Sequence, residues 1–211
     1  MKILALEFSS PQRSVAVTRQ GEFHESLSGS NAPLTMIEDT LREAKLEREQ
    51  IECLAVGIGP GSYTGIRAAI SIAQGWQLAR RVKIIGISSA ECIAAQAQAD
   101  GATGRAHVII DAQREELYLA TYELAPDGVC EIEPLKIVTV AEAQRRAEAG
   151  GVLIGPEVSR WFASGKVVFP RAATLGRLAL NRTDFIAGEK LEPIYLRETK
   201  FAKAPPPRIM L

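Results

Sequence analysis

The stretch that most restricts how this chain can fold runs from Val56 to Arg81 and reads VGIGPGSYTGIRAAISIAQGWQLARR. Leu54 to Ile58 is a short apolar run with the character of a buried strand, and it breaks at Gly59-Pro60-Gly61-Ser62. Proline and glycine end extended structure there and permit positive φ. From Thr64 the pattern turns helical, with Ile66, Ile70 and Ala73 on one face. Strand, glycine turn and helix in that order leave backbone N–H groups at a helix N-terminus, where an anion or a partner's carboxylate can sit. Together with Ser9 and Ser10 of an earlier turn, Gly59, Gly61, Ser62 and Thr64 make up a candidate phosphate- or anion-binding loop.

The helix is rich in small residues: Ala68, Ala69, Ser71, Ala73, Gly75 and Ala79. Small side chains let another element approach closely, so this helix is expected to pack on more than one side, within its subunit and against a partner. Three better-known glycine motifs do not fit. No lysine follows Gly65 as a Walker A loop requires. The loop lies too far along the chain for a first-turn dinucleotide fingerprint. Pro60 occupies the glycine position of a GxSxG elbow.

Lys plus Arg and Asp plus Glu balance at 25 each over 211 residues. That balance gives no general attraction to RNA or to a membrane surface. Cys53, Cys92 and Cys130 are widely spaced with no CxxC pair, which argues for reduced thiols rather than zinc or disulfides. No apolar run is long enough to span a membrane, and the opening MKILALEFSS reads as a core strand, so a cytoplasmic protein is expected.

In order, strands are expected at Lys2–Phe8, Arg13–Arg19 and Glu22–Leu27, with a turn at Gln20-Gly21. A helix from Leu34 comes next, then the glycine loop and its helix, a strand at Lys83–Ile87 and a helix over Ser89–Ala99. After a linker-like Asp100–Gly104 the pattern restarts. Strands fall at Ala106–Asp111 and Glu116–Tyr122, with an extended stretch to Val140 and a helix over Ala141–Ala149. Short elements lead on to a helix over Ala172–Asn181 and a tail with three consecutive prolines. Two βββαβα units are therefore expected, 1–104 and 105–211, with Glu7 opposite Asp111 at the ends of their first strands. Such units build the α/β fold of actin, sugar kinases and the Hsp70 ATPase, of ribonuclease H-like type, in which the first hairpin of each half grips phosphate.

ILALEFSSPQRSVAV followed by AVGIGPGSYTGIRAAISIAQGWQLA closely resembles the TsaB (YeaZ) family, as do IGISSAECIA, IIDAQREELYLATYE and PIYLRE at Pro193–Glu198. Members are relatives of TsaD and of proteins once called M22 glycoproteases. The resemblance implies a non-catalytic role beside a TsaD-like protein and a TsaE-like ATPase in forming N6-threonylcarbamoyladenosine on tRNA. It implies tRNA contact only through that complex, and a homodimer when the chain is alone. It implies no firm cofactor, leaving ATP or ADP at the partner interface open. The helices around Leu34–Glu47 and Thr64–Arg80 are then the partner-binding elements, with Met36, Ile37, Thr40, Ala69, Ala73 and Trp76 as contact residues. On that reading Ala69→Arg abolishes association and leaves the monomer folded.

The chain departs from the family's acidic, hydroxyl-rich opening at Glu7-Phe8 and from its His-Ser pair at Asn31-Ala32. The HxxxH helix motif that holds the metal of TsaD is absent, and His24 and His107 lie on separate strands. No residue is assigned a catalytic role and no metal ligand is named. The competing readings are a stand-alone ATPase, an M22-type metallopeptidase of the same fold and an RNA-binding module.

Overall fold

The computed structural model describes residues 1–19, 21–29 and 32–196. Gln20, Ser30, Asn31, and the tail from Arg197 with its three prolines lie outside the described residues, as do the last two positions of the PIYLRE match. Ten strands form two five-stranded mixed sheets. The first contains β1 (Ile3–Glu7), β2 (Arg13–Arg19), β3 (Glu22–Ser28), β4 (Cys53–Gly57) and β5 (Lys83–Ile87) in the order β3-β2-β1-β4-β5. The second contains β6 (Gly104–Asp111), β7 (Glu116–Ala125), β8 (Gly128–Thr139), β9 (Val152–Gly155) and β10 (Lys166–Val167) in the order β8-β7-β6-β9-β10. The two orders are the same topology repeated, as the restart of the sequence pattern at Ala106 predicts. In each half the first three strands are antiparallel and the next two run parallel to the first.

Alternation along the strands sends side chains to opposite faces of each sheet. In the first sheet Leu4, Leu6, Leu54, Val56 and Ile84 meet α1 (Pro33–Ala44) and α2 (Tyr63–Arg80). Ile3, Ala5, Cys53, Ala55, Ile85 and Ile87 face the other way, onto α5 (Ala172–Leu180). Every residue of β1 and β4 is buried because both faces are covered. Each fully buried Leu or Ile there contributes about 2 kcal/mol of hydrophobic stabilisation. In the second sheet Val108, Ile110, Ala120 and Ile154 pack on α3 (Ser89–Ala99), and Ile109, Leu117, Leu119 and Leu153 pack against Ala143 of α4 (Val140–Glu148) and Phe162.

The halves exchange helices. α3 comes after the strands of the first sheet in sequence and packs on the second, while α5 belongs by sequence to the second half and packs on the first. The start of α5 is also held from the first half. Ser14 Oγ accepts from the Ala172 N–H at 2.8 Å, Glu25 Oε1 accepts from the Ala173 N–H at 3.0 Å, and Arg171 pairs with Glu25. These bonds satisfy N–H groups that a helix cannot satisfy internally.

Boundaries shift modestly from the sequence reading. The first helix ends at Ala44 because Lys45 turns into the left-handed region at φ 53. One of the short elements before α5 is a single 3-10 turn, Val158–Arg160. All three cysteines are free thiols, Cys53 and Cys92 buried and Cys130 exposed.

Candidate functional site

A cleft of about 680 Å³ opens between the C-terminal ends of the two central strands β1 and β6. One wall carries Ser9, Ser10, Pro11 and Arg13 with Pro60, Gly61, Ser62 and Tyr63 from the start of α2; the other carries Asp111, Gln113, Pro156 and Glu157. Ile93, Ile110 and Tyr118 complete it.

The glycine loop is built mainly to receive its own chain. A Cβ on Gly65 would stand 1.9 Å from the Phe8 carbonyl oxygen, so only glycine allows the first hairpin to lie this close to α2. The Ser62 N–H donates to the Ser9 carbonyl at 2.7 Å, and Ser62 Oγ caps the helix by accepting from the Gly65 N–H at 3.3 Å. Two of the N–H groups that could have cradled a phosphate are thereby satisfied inside the protein. Of the six loop residues singled out in the sequence, Ser9, Ser10, Gly61 and Ser62 come together on the cleft. Gly59 is buried with its carbonyl accepting from the Ser89 N–H at 2.8 Å, and Thr64 is exposed outside the cleft lining.

The matched acids have separate fates. Glu7 is fully buried; its Oε1 accepts from the Ser9 N–H at 2.8 Å and its Oε2 from the Ser89 hydroxyl at 3.1 Å. A Cβ on Gly57 would stand 2.0 Å from Oε2, so that glycine makes room for the carboxyl group. Burial pushes the Glu7 carboxyl above the ordinary carboxylate range against the opposing pull of Ser9 and Ser89. Asp111 stays at the cleft, accepting from the Gln113 N–H at 2.7 Å and pairing with Arg160 at 3.0 Å. Burial, and then the neighbouring Asp111 charge, raises the Glu157 carboxyl. Glu157 escaped the sequence reading. Its signal was the repetition of Gly59-Pro60 as Gly155-Pro156 at the same place after the fourth strand of each half.

The expected partner contacts are corrected in exposure. Met36, Ile37, Ala69 and Ala73 lie in the core of their own subunit, and Thr40 is buried with its hydroxyl donating to the Met36 carbonyl. The small residues of α2 let it settle onto the sheet, which consumes the face that the sequence offered to a partner. Trp76 keeps partial exposure. The outward side of these helices shows Leu34, Tyr63 and Leu78, the last 88% exposed. Tyr63 stacks on Tyr195 with ring centroids 5.5 Å apart, and the Arg67 guanidinium lies 4.9 Å from the Tyr63 ring centre.

His107 is buried between the Thr121 hydroxyl and the Gly150 carbonyl, a structural setting. Among the described residues no group of three or more His, Cys, Asp or Glu is placed to hold a metal ion, and no helix is long and apolar enough to cross a membrane.

Two mixed sheets of repeated topology with a cleft at the ends of their first strands define an α/β protein of the actin, sugar-kinase and Hsp70 ATPase type. The family model for TsaD, described as tRNA N6-adenosine threonylcarbamoyltransferase, matches residues 30–200. The chain is 29% identical to the tRNA threonylcarbamoyladenosine biosynthesis protein TsaB of Escherichia coli K12, over 93% of this chain and 95% of that protein. It is 27% identical to the protein of the same name from Haemophilus influenzae, over 97% and 98%. The solved structure of YeaZ from Pseudomonas aeruginosa superimposes with a TM-score of 0.80 at 25% identity, over 92% of this chain and 99% of that one. The chain therefore belongs to the TsaD family that the model describes, among its TsaB (YeaZ) members.

Proposed function

We propose that this chain serves in forming N6-threonylcarbamoyladenosine on tRNA as a non-catalytic partner of a TsaD-like protein, in a complex that a TsaE-like ATPase joins. The observation that carries the reading is the match to TsaB proteins along nearly the full length of both chains. On this reading residues 1–104 supply the partner-binding helices, residues 105–211 complete the second unit, and the protein works in the cytoplasm. The docking surface is the outward side of α1 and α2, where Leu34, Tyr63 and Leu78 are exposed beside half-buried Trp76. Removing such side chains from water is a main favourable term in association. The same face serves a homodimer when the TsaD-like protein is absent, and tRNA is met only through the complex. No cofactor is assigned to the chain itself; where ATP or ADP takes part, the interface with the partner is its place.

Light scattering after size exclusion tests this with the chain alone and with the TsaD-like protein of the same genome. The expected result is a heterodimer that replaces the homodimer and is lost in a Leu78→Arg, Tyr63→Ala double variant that still unfolds cooperatively. No association under any nucleotide condition overturns the reading.

A further inference from the structure

The cleft carries groups of opposite charge on its two walls. On the first wall Arg13 stands at the start of β2, and among the described residues no ion pair engages its guanidinium. The Ser62 hydroxyl on the same wall accepts the helix-capping bond, which leaves its proton available to a ligand acceptor. On the second wall Asp111 and Glu157 lie close enough for each charge to act on the other, and Arg160 is the cation beside them. The Arg160 side chain is 66% exposed, so water screens much of its effect. One wall holds an arginine without an ion-pair partner among the described residues, and the other holds two carboxyl groups beside a single, largely exposed arginine.

The surroundings narrow the ligand further. A phosphate-rich molecule meets acids on the second wall, and at the start of α2 it finds the Ser62 and Gly65 N–H groups already satisfied. A simple cation leaves Arg13 unanswered, and a simple carboxylate leaves the acids unanswered. A small dipolar molecule answers both, and the exposed Pro11 ring in the cleft lining offers apolar surface for a side chain. A volume of about 680 Å³ is ample for it.

We infer that the cleft between the two sheets binds a free α-amino acid, with its carboxylate toward Arg13 and Ser62 and its ammonium toward Asp111 and Glu157. The desolvated Glu157 carboxyl fits that assignment, because an arriving ammonium offsets the cost of its burial. The inference does not depend on the partner reading: Tyr63 borders both surfaces, but Leu34, Trp76 and Leu78 of the docking surface lie outside the cleft lining.

The test is ligand-observed NMR and calorimetry on the full chain with alanine, serine, threonine and leucine. Their methyl esters, which lack the carboxylate, and their N-acetyl derivatives, which lack the ammonium, serve as probes of each end. The expected result is binding of at least one free amino acid and of neither derivative. Arg13→Gln and Glu157→Gln should each weaken it about tenfold or more, the size of a lost charge-assisted hydrogen bond. Both variants are checked for a cooperative unfolding transition, and if one fails to fold the ester and acetyl probes on the unmodified chain decide the question. The inference is overturned if no free amino acid binds, if the derivatives bind as well as the parent, or if ATP or ADP binds the cleft and no amino acid does. Association with the TsaD-like protein is read separately by light scattering, so either idea can fail alone.

Discussion

The two halves share a topology and diverge immediately after their fourth strands. Beyond β4 the chain runs through Gly59-Pro60 into α2, a helix of 18 residues; beyond β9 it runs through Gly155-Pro156 into a 3-10 turn of three. The central strands β1 and β4 of the first sheet are consequently buried throughout, whereas the second half keeps Asp111 and Glu157 at an open cleft. Glu7 and Asp111 stand at matching strand ends, yet one is sealed by Ser9, Ser89 and Gly57 and the other keeps a partly exposed carboxylate at the cleft beside Arg160. A shared strand order does not give a shared environment; the covering elements decide it.

The largest expected effect comes from inserting a charge in the elements that follow the fourth strands of the two halves. Ala69 lies on the fully buried face of α2, so Ala69→Arg strands a guanidinium against the sheet and should cost on the order of 4 kcal/mol or more. Ser159 in the counterpart turn is exposed, and Ser159→Arg should change stability by less than about 0.5 kcal/mol. Urea denaturation of both variants checks this, and equal losses would remove the contrast. The first variant also reverses the expectation drawn from sequence, in which the monomer stays folded.

Next come two glycines of α2 itself. Gly65→Ala forces a methyl against the Phe8 carbonyl and should destabilise by about 3 kcal/mol, as overpacking does. Gly75 has nothing within 4 Å of a Cβ, so Gly75→Ala should stabilise by about 1 kcal/mol through helix propensity. Opposite signs within one helix separate close approach from mere flexibility.

The acids give a subtler contrast through pH. Burial raises the folded-state pKa of Glu7, so the folded protein holds this proton where the unfolded chain has released it. The contribution to stability is fully present below the unfolded value and is lost as pH rises through the raised folded value. Glu7→Gln removes that dependence and should therefore gain stability relative to the parent as pH rises from acid to neutral. Glu157 shifts in the same direction, from burial and Asp111, and Glu157→Gln should behave likewise with smaller amplitude because the group borders the cleft. Thermal melts of the parent and both variants across pH measure this, and parallel curves for parent and Glu7→Gln would refute it. The smallest effect belongs to Arg160→Gln, which removes a largely exposed ion pair and should cost less than about 1 kcal/mol by the same denaturation assay.

Much of the fold was legible in the sequence because it rests on local patterns. Alternation placed β2, apolar runs placed β1 and β4, and the turn at Gly59-Pro60-Gly61-Ser62 placed the start of α2 within one residue. The helix from Ser89 to Ala99 has the expected limits. The candidate site was legible in part: Ser9, Ser10, Gly61 and Ser62 do converge, but Glu157 and Arg160 come from a turn with no periodic signal. The faces of α1 and α2 were misjudged for a different reason. A helix with small residues on one side reads the same whether that side meets its own sheet or a partner.

The sequence by itself determined the repeated strand order, the glycine loop and the family likeness, all of which depend on residues near one another in the chain or on long matched segments. Tertiary structure alone decided that α3 and α5 exchange sheets, that Met36, Ala69 and Ala73 are core, and that Glu7 is buried while Asp111 is not. Those outcomes depend on which surfaces are covered by segments far away in sequence. Burial is a property of the assembled neighbours, and no local pattern carries it.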